Sequence, residues 1–127
     1  MNPRAYAKQM ARKYGIPANL FTSLIAHESG WKADAVSKVG ALGYAQLMPA
    51  TAKGMGYDPN DPRQNLEGGA HYLHNAYKHF GNWKDALRAY NQGWGGAAAD
   101  PNNGLHYASS ILDSAGVLHR TQPLALA

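Results

Sequence analysis

The chain has 127 residues, a length that suits one compact domain with one hydrophobic core. It contains no cysteine, which excludes a disulfide framework and a thiolate metal site. No apolar run approaches the ~18 residues that a bilayer-spanning helix needs, so we expect no stable membrane insertion. The N-terminal residues MNPR lead directly into helix-like sequence, without an apolar signal segment. Action outside the cytoplasm would therefore require another export route or prior removal of a signal.

The net charge of +4 and the pI of about 9.4 favour a polyanionic partner such as nucleic acid, a membrane surface or a bacterial wall. The twelve lysines and arginines are scattered, and Arg12-Lys13 is their only adjacent pair. Such a distribution is typical of a solvated surface and unlike a basic nucleic-acid arm. We therefore expect no nucleic-acid partner.

Helix start and stop signals divide the N-terminal half. The predicted helices are residues 2–14, 17–29, and 49 to 54 or 56. Each begins at or near a proline and is followed or ended by a glycine, the usual order of such signals. The segment 30–48 between them is rich in glycine, and Val36, Val39 and Leu42 in it favour a short β-hairpin.

The C-terminal half is also helical in pattern. The predicted helices are residues 66–80, 82–93 and 105–115. In the first, apolar residues recur at spacings of four and three, and in the second Asn82 and Asp85 resemble a capping box. We expect a loop from Gly93 to Asn103, in which Trp94 could serve as a stacking platform, and an irregular tail over residues 117–127. The whole pattern predicts a single, mainly α domain.

Glu28 is the most unusual acid in the chain. At about 100° per residue, Phe21, Leu24 and Ile25 share one helix face, and Glu28 falls within that apolar stripe. Gly30 is a natural residue to follow a helix, so Glu28 also lies in the last turn, where the helix dipole disfavours an anion. Desolvation and dipole both predict a raised pKa, the property that a general acid needs. The alternative is a helix-end glutamate that turns out to solvent.

A second catalytic carboxylate is not evident. Glu67 is the only other glutamate, and its position beside Leu66 and two glycines leaves both solvent and a cleft open to it. Five aspartates occupy turn, cap or surface positions, and the sixth, Asp34, is the only other acid close to Glu28 in sequence. Because a two-carboxylate glycosidase needs a partner across the sugar, a lone acid suggests that the substrate itself supplies the nucleophile.

Other polar residues are candidates for metal or sugar binding. His71 and His74 have a spacing that can bind zinc, but the glutamate of a His-Glu-x-x-His site is absent, and we expect surface histidines. We expect neither a metal nor a cofactor.

Gln46 lies between apolar residues and must be hydrogen-bonded internally or face a ligand. Tyr90 lies on an apolar stripe, either as core or as a partner of a buried polar group such as Glu28.

Four short motifs follow one another between residue 28 and about residue 110. They are Glu28-Ser29, GALGYAQLMPAT at 40–51, NLEGGAHYL at 65–73 and AYNQG at 89–93, with Tyr107 in the last predicted helix. Together they resemble the soluble lytic transglycosylases, lysozyme-like enzymes that cleave peptidoglycan, whose patterns are ES, GxxGxMQxMPxT, NxxxGxxYL and AYNxG. Ala45 stands where the family has Met, a change that we expect to reshape a sugar subsite rather than remove chemistry.

The resemblance implies a lysozyme-like helical fold with an active-site cleft, in which Glu28 is the single acid and base. The enzyme would cleave the bond between N-acetylmuramic acid and N-acetylglucosamine and form a 1,6-anhydro ring without water. The resemblance also assigns substrate-orienting roles to Ser29, Gln46, Met48, Tyr90, Asn91 and Tyr107. Ser29 would orient Glu28 or the acetamido group, Met48 would line the cleft, and Tyr107 would hydrogen-bond near the acid.

The resemblance further implies that the protein acts in the periplasm or cell wall, on peptidoglycan glycan strands and as a monomer. Without a signal segment, we expect it to be phage-encoded, virion-associated or exported by another route. Three alternatives stay open: a lysozyme-type hydrolase on the same fold, a non-catalytic wall-binding or virion module, and a basic helical nucleic-acid binder.

Overall fold

The computed structural model describes residues 1–117 of the chain. The helices within them are α1 (Pro3–Lys13), α2 (Ala18–Ser29), α3 (Pro49–Gly54), α4 (Pro62–Phe80), α5 (Trp83–Ala99) and α6 (Leu105–Ala115). They confirm the mainly α prediction. The predicted irregular tail, apart from Val117, lies outside the described residues. None of these helices is both long and apolar enough to cross a bilayer.

The chain forms two compact units, with the boundary inside α4. The first is Met1–Tyr72 and the second begins at Leu73. The single-domain organisation stays a prediction.

The core of the first unit forms where α1 packs against α2. Asn2 caps α1 by accepting a hydrogen bond from the Ala5 amide at 3.1 Å, and Pro3 occupies the first turn. The apolar faces of both helices are buried: Ala7, Met10 and Ala11 from α1, and Leu20, Phe21, Leu24 and Ile25 from α2. Burial of each large side chain contributes about 1.5–3 kcal/mol, which fixes α2 and therefore its C-terminal end.

The segment between α2 and α3 contains very little β-structure. Within residues 1–117, pairing is limited to two isolated antiparallel bridges, Val36 with Leu42 and Leu42 with Leu47. The turn therefore lies where the sequence predicts it, but isolated bridges replace the predicted hairpin strands. Val36 and Val39, two of the three residues that favoured it, are exposed and contribute no core contact that would extend the strands.

Asn65 of α4 holds this segment in place. Its side chain is 1% exposed and bonds three backbone groups: it accepts from the Ala45 amide at 2.8 Å and donates to the carbonyls of Leu42 at 2.8 Å and Pro59 at 3.0 Å. A Cβ on Gly43 would lie 2.6 Å from the Asn65 amide nitrogen. Glycine at 43, already at φ 73°, therefore allows the loop to approach the helix closely.

In the second unit, α5 begins as the sequence predicts, because the Asn82 side chain accepts a hydrogen bond from the Asp85 amide at 2.8 Å. Gly93 breaks its backbone at φ 77° and ψ 160°, but helix resumes and runs to Ala99. The predicted loop over 93–103 is therefore wrong for residues 94–99. Trp94 stacks on His79 with ring centroids 4.8 Å apart, so at least part of the predicted stacking platform is already covered.

Candidate active site

Glu28 is the second-last residue of α2, as the sequence predicts. Gly30 follows the helix in the left-handed conformation, and its amide donates to the Ala26 carbonyl at 2.9 Å. Phe21, Leu24 and Ile25 are fully buried, whereas Glu28 on the same stripe is half-buried and interacts with neighbouring groups. Glu28 therefore lies at the edge of the buried apolar stripe. Its raised pKa stays a prediction.

Ser29 makes local backbone hydrogen bonds. Its hydroxyl donates to the Ile25 carbonyl at 3.2 Å and accepts from the Trp31 amide at 3.2 Å. Both bonds stabilise the turn that ends α2, where Trp31 adopts an unusual φ of 64°. Ser29 therefore fixes the backbone on either side of Glu28, and its predicted direct contact with acid or sugar stays a prediction.

Gln46 is half-buried in the loop before α3 and has φ 52°. Its amide nitrogen donates to the carbonyls of Ala35 at 3.1 Å and Gly43 at 2.9 Å. Of the two explanations offered by the sequence, internal hydrogen bonding therefore accounts for the nitrogen. These bonds also fix the direction of the side chain, which is the property that a substrate-orienting residue requires.

Met48 is 42% exposed and immediately precedes α3. A concavity of about 500 Å³ begins beside it; its lining residues are Leu42, Pro49, Lys53, Gly56, Tyr57, Asp58, Pro59, Asn60 and Gln64. Glu28 is not among them. This concavity therefore does not mark the position of the candidate acid, and size alone does not identify the active site.

The remaining candidate residues belong to the second unit. Tyr90 is half-buried in α5, three residues before the break at Gly93, and Asn91 beside it is exposed. The Asn91 side-chain oxygen accepts a hydrogen bond from the Gln92 amide. Tyr107 is half-buried in the first turn of α6. The break at Gly93 ends the first part of α5 directly after the Tyr90-Asn91 pair.

A buried arginine, Arg88, connects the segments of the second unit that carry these candidate residues. The sequence analysis did not identify it. Arg88 is 3% exposed and donates to the Asp85 carboxylate and to the carbonyls of Ala97, Asp100 and Asn103, at 2.5–2.8 Å. Desolvation opposes ionisation of Asp85, but hydrogen bonds from Asn82 and Arg88 outweigh it and lower the pKa of the Asp85 carboxyl. The available signal was a charge within the apolar run Ala86–Ala89, three residues after an acid.

Gly104 brings the start of α6 close to α5. It has φ 73°, and a Cβ there would lie 3.2 Å from both the Cα and the carbonyl oxygen of Arg88. Glycine is therefore required by conformation and by space. Together with the Arg88 hydrogen bonds, this close contact fixes the segment that leads to Tyr107.

Glu67, the other glutamate, is part of an ion pair. Its carboxylate accepts from Lys13 Nζ and from the Tyr14 hydroxyl, each at 2.6 Å. Hydrogen bonds from Lys13 and Tyr14 lower the pKa of Glu67, while desolvation and the Glu67 carboxylate raise the pKa of Tyr14. An acid held in the ionised form does not suit proton donation at neutral pH.

His71 extends the same cluster. Its ring stacks on Tyr14 with centroids 4.8 Å apart, and its Nδ1 lies 2.9 Å from the Tyr57 hydroxyl. The prediction of surface histidines is correct only in part, because His71 and His74 are both half-buried and His71 packs against these tyrosines. Within residues 1–117, no group of three or more His, Cys, Asp or Glu side chains is arranged to hold a metal ion.

The helical architecture and the acid at the end of α2 define a lysozyme-like helical domain. Residues 5–103 match the family described as "Transglycosylase SLT domain". The chain belongs to this family.

Individual relatives agree with this assignment. A transglycosylase of Enterobacteria phage PRD1 is 39% identical over 82 residues, covering 64% of this chain and 31% of the relative. The soluble lytic murein transglycosylase of Escherichia coli K12 is 32% identical over 114 residues, covering 76% of this chain and 18% of the relative. An X-ray structure of an inactive mutant of the lytic transglycosylase Slt from Pseudomonas aeruginosa superimposes with a TM-score of 0.76 at 26% identity, covering 96% of this chain and 24% of that one. The chain thus spans less than a third of each relative.

Proposed function

We propose that this chain is the catalytic domain of a peptidoglycan lytic transglycosylase. Its reaction is cleavage of the β-1,4 bond from N-acetylmuramic acid to N-acetylglucosamine, with formation of 1,6-anhydro-N-acetylmuramic acid. Membership of the transglycosylase family supports the class of reaction. The single observation that carries the assignment to a residue is the half-buried Glu28 at the end of α2, on the same stripe as the buried side chains of that helix.

In this proposal Glu28 acts twice. As an acid, it donates its proton to the glycosidic oxygen while the 2-acetamido oxygen of the muramoyl sugar attacks C1 and the C1–O bond breaks. The product of this step is an oxazolinium-like intermediate. As a base, the Glu28 carboxylate then takes the proton of the C6 hydroxyl, whose oxygen attacks C1 and releases the acetamido oxygen. No water enters the product, and Glu28 is again protonated.

The substrate-assisted route suits this chain because Glu67, its second glutamate, is held in an ion pair. A retaining glycosidase with two carboxylates uses the second one as a nucleophile. Glu67 is bound to Lys13 and Tyr14 and has the role expected of a structural ion pair. The acetamido group of the substrate replaces that missing nucleophile. The inactive mutant of the related Pseudomonas aeruginosa enzyme likewise carries a Glu-to-Gln change.

We propose substrate-orienting roles for the remaining candidate residues of each unit. In the first unit, Ser29 fixes the turn after Glu28, Gln46 presents a side chain held by two carbonyls, and Met48 provides an exposed apolar surface. In the second unit, Tyr90, Asn91 and Tyr107 supply hydroxyl and amide groups. We further propose that the protein acts on glycan strands of the cell wall, as a monomer.

The nearest alternative is a hydrolase that uses water on the same fold. The mass spectrum of digested peptidoglycan distinguishes the two, because each anhydro end is one water lighter than a reducing end. We expect anhydro-muropeptides as the main products. Reducing ends as the only products would show a hydrolase, and absence of any cleavage by a folded protein would favour a non-catalytic wall-binding module.

The role of Glu28 is tested by Glu28→Gln, with Glu67→Gln as the matched control. Both variants make the same chemical change at the two glutamates of the chain. Loss of general acid–base catalysis costs about 10²–10⁴-fold in rate, and we expect a loss of that size for Glu28→Gln alone. Circular dichroism should show that both variants fold. Equal loss in both variants, or normal turnover by Glu28→Gln, would remove Glu28 from this role.

A further inference from the structure

The outward face of α1 is basic. Arg4, Lys8 and Arg12 recur at intervals of four residues, so their side chains form one row along the helix, and all three are exposed. The helix has no aspartate or glutamate. Within residues 1–117, neither Arg4 nor Lys8 forms an ion pair, whereas Lys13 on another side of the helix binds Glu67. Among the residues that the structure describes, Arg4 and Lys8 are therefore cations without an anionic partner.

A concavity of about 270 Å³ lies between this row and α2. Its lining residues are Arg4, Lys8, Asn19, Thr22, Ser23, Ala26 and Trp31. They provide two cations, two hydroxyl groups, one amide and one indole ring, and no carboxylate. We call this set the α1–α2 concavity. Its chemistry suits one anionic group attached to a small polar or weakly apolar body.

Trp31 gives the concavity a fixed wall. A bulky residue at φ 64° is strained, and such a conformation persists only where its surroundings impose it. Here the Trp31 amide is bound by Ser29, and the ring lies 6.2 Å from that of Tyr44. The Arg4 guanidinium lies 4.8 Å from the centroid of the Trp31 ring, a cation–π contact that restrains it at the rim. The Arg4 guanidinium, which would donate hydrogen bonds to an anion, is therefore held in position before a ligand binds.

The α1–α2 concavity is on the opposite side of α2 from the candidate acid. Asn19, Thr22, Ser23 and Ala26 share one face of the helix, and Glu28 lies about 180° around the helix axis from Asn19, at ~100° per residue. A ligand in the concavity therefore does not compete with a glycan bound at Glu28.

We propose that the α1–α2 concavity binds the free carboxylate of a peptidoglycan stem peptide. The proposal rests on the proposed function insofar as peptidoglycan is the polymer that the protein meets. Arg4 and Lys8 bind the carboxylate, and the Ser23 hydroxyl and the Asn19 amide bind the adjoining peptide bond. The Thr22 hydroxyl already donates to the carbonyls of Ala18 and Asn19 and lines the concavity without a donor role. The concavity is close to the lower limit of small-ligand pockets, ~300 Å³, so it accepts a peptide end. A phosphate polymer makes many contacts along a row of cations, whereas only Arg4 and Lys8 of the α1 row line the concavity.

The consequence is a second attachment to the wall. Peptidoglycan repeats its stem peptides along every strand, so a protein holding one stem has other strands at high local concentration. Two weak sites on opposite faces raise the overall affinity above that of either site, without a new contact at the acid. The α1–α2 concavity therefore increases residence on the wall and leaves the chemical step unchanged.

The test measures binding to purified, insoluble peptidoglycan in the Glu28→Gln background, so that no substrate is cleaved. The test variant is Arg4→Gln/Lys8→Gln, and the matched control is Lys38→Gln/Lys78→Gln, which removes two exposed charges elsewhere. Loss of two charge-assisted contacts should weaken binding roughly tenfold at low salt, and the control should bind within about twofold of the parent. Enzymatic removal of the stem peptides should weaken binding by the parent to a similar extent and leave the test variant almost unaffected.

Activity provides an independent readout. With Glu28 intact, Arg4→Gln/Lys8→Gln should cleave soluble glycan fragments without peptides at the normal kcat/KM. The proposal is overturned if the control loses as much affinity as the test variant, if stem removal has no effect on the parent, or if a phosphate polymer competes better than an acidic peptide. The proposed function fails by a different observation, the product mass spectrum, so the two failures are distinguishable.

Discussion

The replacement Arg88→Met gives the sharpest test of what holds the second unit together. Methionine is an unbranched apolar side chain that replaces the aliphatic stem of arginine, but it is shorter and donates no hydrogen bond. The change removes four hydrogen bonds from a side chain that is 3% exposed. It leaves the Asp85 carboxylate and the carbonyls of Ala97, Asp100 and Asn103 without this donor.

The size of the effect follows from these acceptors. Each buried polar group left unbonded costs about 1–3 kcal/mol, and water can reach Asp85, which is 30% exposed, at lower cost. Packing of the methionine offsets about 1 kcal/mol. We therefore expect the free energy of unfolding to fall by roughly 3–5 kcal/mol, the range measured when one partner of a buried ion pair is removed. This is a large share of the ~5–15 kcal/mol that stabilises a typical domain.

Urea unfolding followed by circular dichroism at neutral pH measures this difference. Arg12→Met is the control, because Arg12 is an exposed residue of α1, and we expect its effect to stay within about 0.5 kcal/mol. A loss below about 1 kcal/mol for Arg88→Met would refute the reasoning, since it would mean that water replaces arginine at the acceptors.

The pH dependence of unfolding provides a second test of the Arg88→Met prediction. Because the pKa of Asp85 is lowered in the folded state, the Asp85 carboxylate contributes stability above its unfolded value of 3.8, and that contribution is lost as pH falls through the folded value. The difference between wild type and Arg88→Met should therefore be constant near neutral pH and narrow in acid. A difference that widened below pH 3.8 would contradict the assigned partner.

Two further predictions concern the first unit. Asn65→Ala should lower the free energy of unfolding by roughly 2–4 kcal/mol, because three backbone groups lose a buried partner. Thermal or urea unfolding measures this change. A loss below about 0.5 kcal/mol would contradict the role of Asn65 in holding the loop. Glu67→Gln should lower stability at neutral pH, and this deficit should shrink as pH falls below the ordinary carboxyl value of 4.5, because Lys13 and Tyr14 lower the pKa of Glu67 in the folded state. A deficit independent of pH between 3 and 7 would show that the ion pair does not contribute.

Most helix positions were predictable because their causes are local. Proline in the first turn, an asparagine cap and a glycine after the last turn each act within a few residues. Pro3 and Asn82 begin α1 and α5 in this way, and Gly30 follows α2. The position of Glu28 at a helix end beside buried apolar residues followed from the same local signals.

The errors arose where a distant residue decides the structure. The helix after Gly93 is stabilised at its end by Arg88, whose bonds to the carbonyls of Ala97 and Asp100 span nine and twelve residues. Likewise, the loop before α3 is fixed by Asn65, twenty residues from the Ala45 amide that it binds. Periodicity and turn rules contain no information on such distant pairs. The sequence therefore predicted where these segments lie along the chain, but not which side chains hold them.

The two glutamates show the same division between local and distant causes. The sequence left Glu67 open to either solvent or a cleft, and its actual partner, Lys13, lies 54 residues away. That lysine stabilises the carboxylate and lowers the Glu67 pKa, whereas a general acid must keep its proton near neutral pH. The factors expected to favour a protonated Glu28 are the end of its own helix and the apolar stripe on which it lies. Glu67 is therefore held in an ion pair that contributes to stability, and the catalytic role that we propose is left to Glu28.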